Sequence, residues 1–388
     1  MEYRYIPVQP SADVCTHRWN NPTPVCHLEE ACRSWGAEAY FVGLMSYAAW
    51  GRVQFPHPYP EDAFLVGDSG GHTVMSTGKM FSPEDVLRWQ AQFMHMGFML
   101  DIPPYLDRRP HHGNRAGPSA LGWRRGLHLS VENVRRALPE YQEERAKGSP
   151  FRWWGVLQGR TEGELARWWE AVSGAYPFVD PGEGWGFNAA GNTPERLAFV
   201  MGVLHRLGIR RVHALGVSGW RAMGTLIGLG LLGGFELVMW DSASSFHLAV
   251  NRTIMWSGEN PYVLRQIREW DRKGPYSATG LMMKCPCASC RAMRDDFPDG
   301  PPRTRYLTHR MHMHSLLLYR RAADALYREA EDDPEQFLRR LLTPEEGPGR
   351  GKKTRSPSHQ FPAMLRAFAG QVRESKSILG HRSLLEWV

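Results

Sequence analysis

Three cysteines and one histidine form the group of residues with the clearest chemical meaning in this chain. The run Cys285-Pro-Cys287-Ala-Ser-Cys290 places three thiols close together, and His314 follows on a predicted helix. Thiolate and imidazole are the ligands that zinc takes in closed, tetrahedral structural sites. We therefore predict one structural zinc ion per chain, bound by Cys285, Cys287, Cys290 and His314.

The sequence does not fix which histidine is the fourth ligand of this predicted site. His309 and His312 precede His314 and offer the same chemistry. We favour His314 because it opens an apolar stretch, 316–319, whose packing can fix the imidazole ring. The CxCxxC spacing is tighter than the usual paired CxxC motifs, and the alternative is that the cysteines are reduced core residues.

A second set of chemically capable residues is spread along the chain. Asp68 begins the sequence Asp-Ser-Gly-Gly, whose glycines let a flat ring approach the backbone closely. Asp101 can accept two hydrogen bonds from one ring edge, as guanine presents, and Gln158 and the Gly159 amide can donate to a ring carbonyl. Asp241 ends an apolar run, so it is a partly desolvated carboxylate that can attack a carbon electrophile. Asp68 and Asp241 can divide acid/base and nucleophile roles, as in retaining glycosidases.

The elements that must position these residues are indicated by periodicity. Short apolar runs alternate with amphipathic segments from about residue 60 to 241, which predicts βα units feeding a parallel sheet. Ser82, Thr161 and Thr193 mark helix starts, because each places a capping hydroxyl before a first turn. Polar residues follow the predicted strands, where the carboxyl ends of parallel strands meet. The predicted strands are 63–66, 98–100, 153–157, 185–187, 212–215 and 237–240.

Composition limits the class of protein. The 388-residue chain has no apolar run long enough to cross a membrane and no N-terminal signal pattern, so we expect a cytoplasmic protein without a membrane partner. The remaining cysteines, Cys15, Cys26 and Cys32, are odd in number, which fits buried thiols in a reducing compartment better than a disulfide framework. The net charge of +7 suits a polyanionic partner, with a solvated basic surface as the alternative. The arginine clusters are 108–115, 303–310, 320–321, 339–340 and 350–355.

The motifs occur in an order that resembles the tRNA-guanine transglycosylase family. The resemblance covers about residues 60 to 325 and implies a (β/α)8 barrel of the TIM type, with a zinc-binding insertion near its C-terminal end. It implies a catalytic barrel with an N-terminal extension at 1–275, a zinc-binding subdomain at 276–325, and a helical tail with a basic linker at 326–388. The shared features are Asp-Ser-Gly-Gly at 68–71, Val-Leu-Gln-Gly-Arg at 156–160, a glycine-rich segment at 186–191, Leu-Gly-Val-Ser-Gly at 215–219, Asp241 and the cysteine–histidine element.

The resemblance also implies a role for each motif. Asp241 matches the nucleophile that bonds to C1′ of the target nucleotide. Asp68 matches the second acid, which handles protons as guanine leaves and a 7-deazaguanine enters. The segment 186–191 matches the loop that lines the pocket for the 7-substituent. The substrate-binding residues implied in this way are Ser69, Gly70, Asp101, Gln158, Gly159, Gly186, Asn188, Gly191 and Gly216.

Departures from the family pattern resemble its DNA-modifying branch, bacterial or phage. Asp241 is followed by Ser-Ala-Ser-Ser-Phe-His-Leu, and not by the arginine-containing stretch that holds the anticodon loop in tRNA-acting members. The pocket loop reads Gly191-Asn192 where queuosine-type enzymes have Gly-Glu. A neutral amide favours an uncharged nitrile, hence 7-cyano-7-deazaguanine (preQ0), a preference that archaeal-type enzymes acting on tRNA share. After the zinc element only a basic linker, 343–358, and a short helical tail remain.

We therefore expect a pentosyltransferase that exchanges guanine in DNA for a free 7-deazaguanine through a covalent aspartyl intermediate. Three alternatives stay open: the same exchange on tRNA, a non-catalytic zinc-stabilised subunit that binds nucleic acid, and a metal-dependent barrel hydrolase suggested by the 16 histidines. The presence of both Asp68 and Asp241 argues against the subunit. Most histidines fall away from strand ends, which argues against the hydrolase. The sequence leaves open an accessory ATPase or other DNA-modification partner, and a homodimer.

Overall fold

A parallel β-sheet forms the centre of the protein. Its eight strands are β1 (Glu2–Pro7), β2 (Val42–Ser46), β3 (Phe64–Asp68), β4 (Met96–Phe98), β5 (Arg152–Leu157), β6 (Trp185–Asn188), β7 (Arg211–Leu215) and β8 (Leu237–Ser242). Their order across the sheet is β1-β8-β7-β6-β5-β4-β3-β2, and every ladder is parallel. The computed structural model describes residues 1–7, 42–46, 64–71, 74, 80–104, 122–188, 193–217, 219–242, 248–257, 261, 263–269, 277–299, 305–342 and 361–381.

The sheet curls strongly. A flat sheet of eight strands would hold its two edge strands about 34 Å apart. Here Cα atoms of the edge strands β1 and β2 come within 8 Å of one another. No ladder joins β1 to β2 in the described part of the chain. The predicted α/β class with a parallel sheet is therefore confirmed, whereas a closed (β/α)8 barrel is not shown.

The strands predicted from apolar runs are confirmed as β3 and β5 to β8. The strand predicted at 98–100 lies too late in the chain, because the observed β4 ends at Phe98. Side chains of β5 and β8 are buried on both faces, which is typical of a parallel sheet covered by helices. The edge strands β1 and β2 were not predicted. β1 pairs with β8, so that Glu2 lies opposite Leu237, and a local sequence pattern carries no signal for so distant a partner.

In the described part of the chain, these helices follow successive strands of the sheet: α1 (Pro83–Phe93), α2 (Trp123–Ala146), α3 (Glu162–Ser173), α4 (Pro194–Arg206) and α5 (Trp220–Gly233). The predicted helix starts are confirmed by their caps. Ser82 and Thr193 accept backbone hydrogen bonds from the first turns of α1 and α4. Thr161 forms a complete capping box with Glu164 at the start of α3.

A smaller region follows β8 and has its own core. It contains the antiparallel hairpin of β9 (Thr253–Ser257) and β10 (Leu264–Arg268), then α6 (Ala278–Met282), α7 (Ala288–Asp296) and the start of α8 (Arg305–Glu331). Ala249 and Ile254 belong to this core, so it draws on residues before the predicted boundary at 276. At the other boundary, α8 runs through residue 325 and contacts both β9 and α5.

Two helices near the C-terminal end of the described ranges pack on the outer layer, α9 (Pro334–Leu342) and α10 (Phe361–His381). Glycines of α5 make room for α9: a Cβ atom on Gly224 would lie 2.8 Å from Leu341, and one on Gly228 would lie 2.7 Å from Leu338. α10 contacts α4 and α5. The predicted linker 343–358 lies outside the described residues. Among the helices of the described ranges, none combines the length and the apolar character needed to span a bilayer.

Candidate active site and metal centre

Three carboxylates and one glutamine lie at the carboxyl ends of the sheet strands. Asp68 is the last residue of β3, Asp101 follows β4, Gln158 follows β5, and Asp241 lies near the end of β8. Because the strands are parallel, their carboxyl ends all lie on the same side of the curled sheet, and these residues lie together there. Asp101, Gln158 and Asp241 are buried, and Asp68 is partly buried. The structure thus brings together the polar side chains that the sequence singled out.

The Asp101 carboxylate is held by groups from two neighbouring strand ends. Gln158 Nε2 donates to Asp101 Oδ2 over 2.8 Å. The Ser69 hydroxyl also hydrogen-bonds to this carboxylate. Burial raises the pKa of Asp101 to about 6, although the Gln158 hydrogen bond acts in the opposite direction. The hydrogen bond sets the Gln158 amide group, a donor, beside the Asp101 carboxylate, an acceptor.

The Asp-Ser-Gly-Gly turn packs directly against Asp101. A Cβ atom on Gly71 would lie 2.5 Å from the backbone oxygen of Asp101 and 2.9 Å from its Oδ1. Gly70 has a φ of 80°, which glycine adopts without strain. The sequence predicts that these glycines make room for a ligand ring. At Gly71 the space is filled by Asp101, so this glycine is required by the packing of the site itself.

The pKa of Asp68 is raised further above its ordinary value than the pKa of Asp101. Burial raises its pKa to about 7, and the charges of Asp241 and then Asp101 act in the same direction. Backbone hydrogen bonds from Gly70 and Ser69 oppose the rise. A carboxyl group with this pKa exchanges a proton near neutral pH, as a general acid or base must.

The carboxylate of Asp241 is fixed by two donors that come from β7 and its end. His213 Nε2 lies 2.8 Å from Asp241 Oδ1, and the Gly216 amide donates to the same oxygen over 3.1 Å. Gly216, predicted as a substrate-binding residue, thus contacts Asp241 through its backbone. His213 was missed by sequence reasoning. The available signal was a histidine inside the apolar strand Val212 to Leu215, because a buried polar group needs a partner.

Gly159 is held in place by an arginine that sequence reasoning also missed. Arg196, in the first turn of α4, donates from Nη2 to the Gly159 carbonyl and from Nη1 to the Arg160 carbonyl, the latter over 2.9 Å. A Cβ atom on Gly159 would lie 2.9 Å from the Leu165 amide nitrogen. The start of α4 therefore clamps the loop that follows Gln158.

The predicted pocket for the 7-substituent is described only in part. Gly186 lies in β6, where a Cβ atom would come 3.0 Å from the Phe98 ring, so its observed role is to admit that ring. Asn188 ends β6 and pairs with Leu215 of β7. Gly191 and Asn192 lie outside the described residues.

The cysteines and His314 form one buried cluster. Their ligand atoms all lie within 4.8 Å of one another. His314 Nδ1 lies 3.7 Å from Cys285 Sγ, 3.5 Å from Cys287 Sγ and 3.3 Å from Cys290 Sγ. The predicted ligand set is therefore brought together, and it can hold a metal ion. Neither His309 nor His312 belongs to this cluster.

Groups around the cluster fix its geometry. Met255 of β9 accepts a hydrogen bond from His314 Nε2 over 3.0 Å, which directs Nδ1 towards the sulfur atoms. The Trp256 ring stacks on the imidazole at 5.9 Å. Arg294 donates to the Cys285 carbonyl over 2.7 Å. Hydrogen bonds from Cys287 and then Cys290 lower the pKa of the Cys285 thiol, which favours the thiolate that a metal requires.

The predicted basic clusters are partly paired within the protein. Arg320 forms an ion pair with Asp324 at 3.1 Å, and Arg339 pairs with Glu335 at 2.7 Å. Exposed basic side chains also occur on the smaller region, at Arg265 and Arg268 of β10 and Arg291 of α7. The clusters at 108–115 and 350–355 and the first three cysteines lie outside the described residues.

Fold and site together define an α/β protein with carboxylates at the strand ends and a Cys3His cluster beside the sheet. Neither the models of known protein families nor the sequences of curated proteins match this chain.

Proposed function

We propose that this protein is a guanine transglycosylase that replaces guanine in DNA with a 7-deazaguanine, preQ0. The observation that carries the proposal is the gathering of Asp68, Asp101, Gln158 and Asp241 at one edge of the sheet. Two carboxylates there have distinct environments. Asp241 receives two hydrogen bonds on one oxygen, and Asp68 has a pKa of about 7 through burial and the neighbouring charges. Such a division suits one nucleophile and one proton carrier.

In the proposed reaction, a carboxylate oxygen of Asp241 bonds to C1′ of the target nucleotide as the C1′–N9 bond breaks. The electron pair of that bond goes to the base, and Asp68 supplies a proton, so guanine leaves neutral. The 7-deazaguanine then bonds through its N9 to C1′, Asp68 takes the N9 proton, and the Asp241 carboxylate is released. Two displacements at one carbon retain its configuration.

The proposed recognition of the base uses the pair at the ends of β4 and β5. The Asp101 carboxylate accepts from the ring N–H and the exocyclic amino group, and Gln158 and the Gly159 amide donate to the ring carbonyl. The 2.8 Å hydrogen bond between Gln158 and Asp101 supports this assignment, because it fixes the orientation of both side chains before a ligand arrives. Ser69 and Gly70 complete the proposed base-binding edge.

We also propose that the metal held by the cysteine cluster is one structural zinc ion. In a tetrahedral zinc site, sulfur and nitrogen ligands lie about 3.6 Å apart. The three distances between sulfur and His314 Nδ1 are 3.3, 3.5 and 3.7 Å, so the cluster fits this geometry. Four protein ligands leave no position for water, so zinc supplies stability here and no chemistry.

The finer fold and the partner belong to the same proposal. The approach of β1 to β2 supports closure into a (β/α)8 barrel, whose mouth carries the carboxylates. The target guanosine must leave the base stack to reach this mouth. The exposed arginines of β10 and α7 support a polyanionic partner.

The proposal is tested by expressing the chain in cells that make preQ0, then measuring nucleosides from purified DNA and tRNA separately by mass spectrometry. A modified deoxynucleoside in the DNA is the expected result. Modification confined to tRNA would refute the DNA assignment and keep the chemistry. The matched variants are Asp241→Asn, expected to abolish modification, and Asp332→Asn, an exposed aspartate expected to leave it unchanged. Normal modification by Asp241→Asn would refute the proposed nucleophile.

A further inference from the structure

We propose that His213 is the positioning residue of the nucleophile, and that Oδ2 of Asp241 is the oxygen that bonds to C1′. This inference rests on the proposed function. Both donors to the carboxylate, His213 Nε2 at 2.8 Å and the Gly216 amide at 3.1 Å, approach Oδ1. No described side chain or amide donates to Oδ2.

Two hydrogen bonds on one oxygen have a chemical consequence. They draw electron density towards Oδ1 and stop rotation of the carboxylate about its Cβ–Cγ bond. The lone pairs of Oδ2 receive no hydrogen bond from the described residues, so this atom keeps the nucleophilic role. An oriented nucleophile reacts faster because its rotational freedom has been lost before the substrate binds.

The single ring proton of His213 can be assigned from its surroundings. Asp241 Oδ1 accepts, so Nε2 must carry the proton. Nδ1 is buried and has no hydrogen-bond partner among the described residues. A proton on Nδ1 would be a buried donor without an acceptor, which is costly. The neutral Nε2–H tautomer therefore satisfies the contact with Asp241.

The imidazole ring is itself held by packing. His213 is fully buried, and the Phe98 ring meets it edge-on with a centroid distance of 5.0 Å. Phe98 occupies its place because Gly186 has no side chain, since a Cβ atom there would lie 3.0 Å from the Phe98 ring. A line of contacts thus leads from Gly186 through Phe98 and His213 to Asp241. In this line Gly186 acts on the nucleophile through packing.

The test compares two amide variants of similar polarity. The side chain of His213→Gln can place its amide nitrogen near the position of the imidazole Nε2, whereas that of His213→Asn is too short. Each purified variant is mixed with excess guanine-containing DNA, and the rate of the covalent protein–DNA adduct is measured in a single turnover by denaturing electrophoresis. We expect His213→Gln to form the adduct within about 10-fold of the wild-type rate and His213→Asn about 100-fold slower. Half-saturating DNA concentrations should match for all three proteins.

A control variant and the possible results show whether a failure concerns His213 or the proposed function as a whole. His205, another buried histidine on α4, packs on Phe235 and Phe368, and His205→Gln should keep the wild-type adduct rate. Equal rates for wild type, His213→Gln and His213→Asn would overturn the inference. An equal loss of adduct rate in His213→Gln and His213→Asn would also overturn the inference, because the position of the hydrogen-bond donor would then have no effect. If the wild-type protein forms no adduct with DNA or tRNA, the proposed function itself fails.

Discussion

Gln158 Nε2 lies 2.8 Å from Asp101 Oδ2, so the residues that follow the neighbouring strands β5 and β4 form a buried donor–acceptor pair. The pair is rigid because both side chains are buried and because Arg196 holds the carbonyl of the adjacent Gly159. Asp101 and Gln158 are thereby oriented without a ligand. Asp68, at the end of β3 on the other side of β4, completes the set of groups whose protonation the proposed reaction needs.

The rate of adduct formation should depend on pH as a bell-shaped curve. Asp101 must be ionised to accept from the base, and its pKa is about 6, so the rate falls below that pH. Asp68 must carry a proton for guanine to leave, and its pKa is about 7, so the rate falls above that pH. Single-turnover rates from pH 5 to 9 check this prediction. A rate that keeps rising above pH 8 would contradict the acid role of Asp68.

The change Gln158→Leu should move the acid limb of this curve to higher pH. The hydrogen bond from Gln158 lowers the pKa of Asp101, so its loss raises that pKa. The pH range in which the adduct forms rapidly should therefore become narrower. Binding of free preQ0 should weaken by about 5- to 150-fold, since its ring carbonyl loses a donor and a buried polar group without a partner costs about 1–3 kcal/mol. Calorimetry with preQ0 measures the affinity. Gln142→Leu, an exposed change on α2, should alter neither quantity.

The change Asp68→Asn should make the protein more stable at alkaline pH while it stops the reaction. The pKa of this carboxyl rises from 3.8 to about 7 on folding, so the folded state binds the proton more tightly. Its contribution to stability is complete below pH 3.8 and is lost as pH rises through about 7. The amide cannot ionise, so the variant should gain about 1–3 kcal/mol in free energy of unfolding at pH 8.

Urea unfolding at pH 8 and at pH 4.5 measures this gain, which should be much smaller at the lower pH. Asp332→Asn is the matched control, because that aspartate is exposed and its change should have little effect at either pH. A gain that is equal at both pH values would mean that charge burial at Asp68 is not its cause.

Loss of a cysteine ligand should remove zinc and unfold the smaller region. Purified wild-type protein should contain one zinc ion per chain by elemental mass spectrometry, and Cys290→Ser should contain markedly less. Hydrogen exchange should then accelerate in β9, α7 and the start of α8, whose shared core surrounds the cluster, and change little in β5 to β8. His309→Ala should keep the metal, because His309 lies outside the cluster. Full zinc content in Cys290→Ser would contradict the ligand assignment.

The change Gly71→Ala should damage the site without altering a reacting group. The new methyl group would lie 2.5 Å from the backbone oxygen of Asp101 and must displace it. Overpacking of this kind costs about 1–3 kcal/mol, and the displaced Asp101 should also bind preQ0 more weakly. Thermal unfolding and calorimetry measure the two effects. Gly163→Ala, in α3 with its nearest neighbour atom at 3.6 Å, should be neutral or stabilising. Unchanged preQ0 binding in Gly71→Ala would contradict the packing argument.

The sequence by itself determined the local elements and the residue types of the site. Strands β3 and β5 to β8, the caps Ser82, Thr161 and Thr193, and the cysteine cluster were predictable, because periodicity, capping and ligand spacing are properties of neighbouring residues. Which histidine joins the cysteines was open in the sequence. The structure selects His314, because its Nε2 reaches the Met255 carbonyl while its Nδ1 faces the sulfur atoms.

Tertiary structure decided the relationships between distant segments. The pairing of β1 with β8, the hold of Arg196 on Gly159, and the contact of Gly71 with Asp101 join residues that no local pattern relates. The same holds for His213 and Asp241, which come together only because β7 and β8 are neighbours in the sheet. The sequence states the chemistry of each side chain directly, whereas the hydrogen-bond partner of each buried polar group depends on how the chain packs.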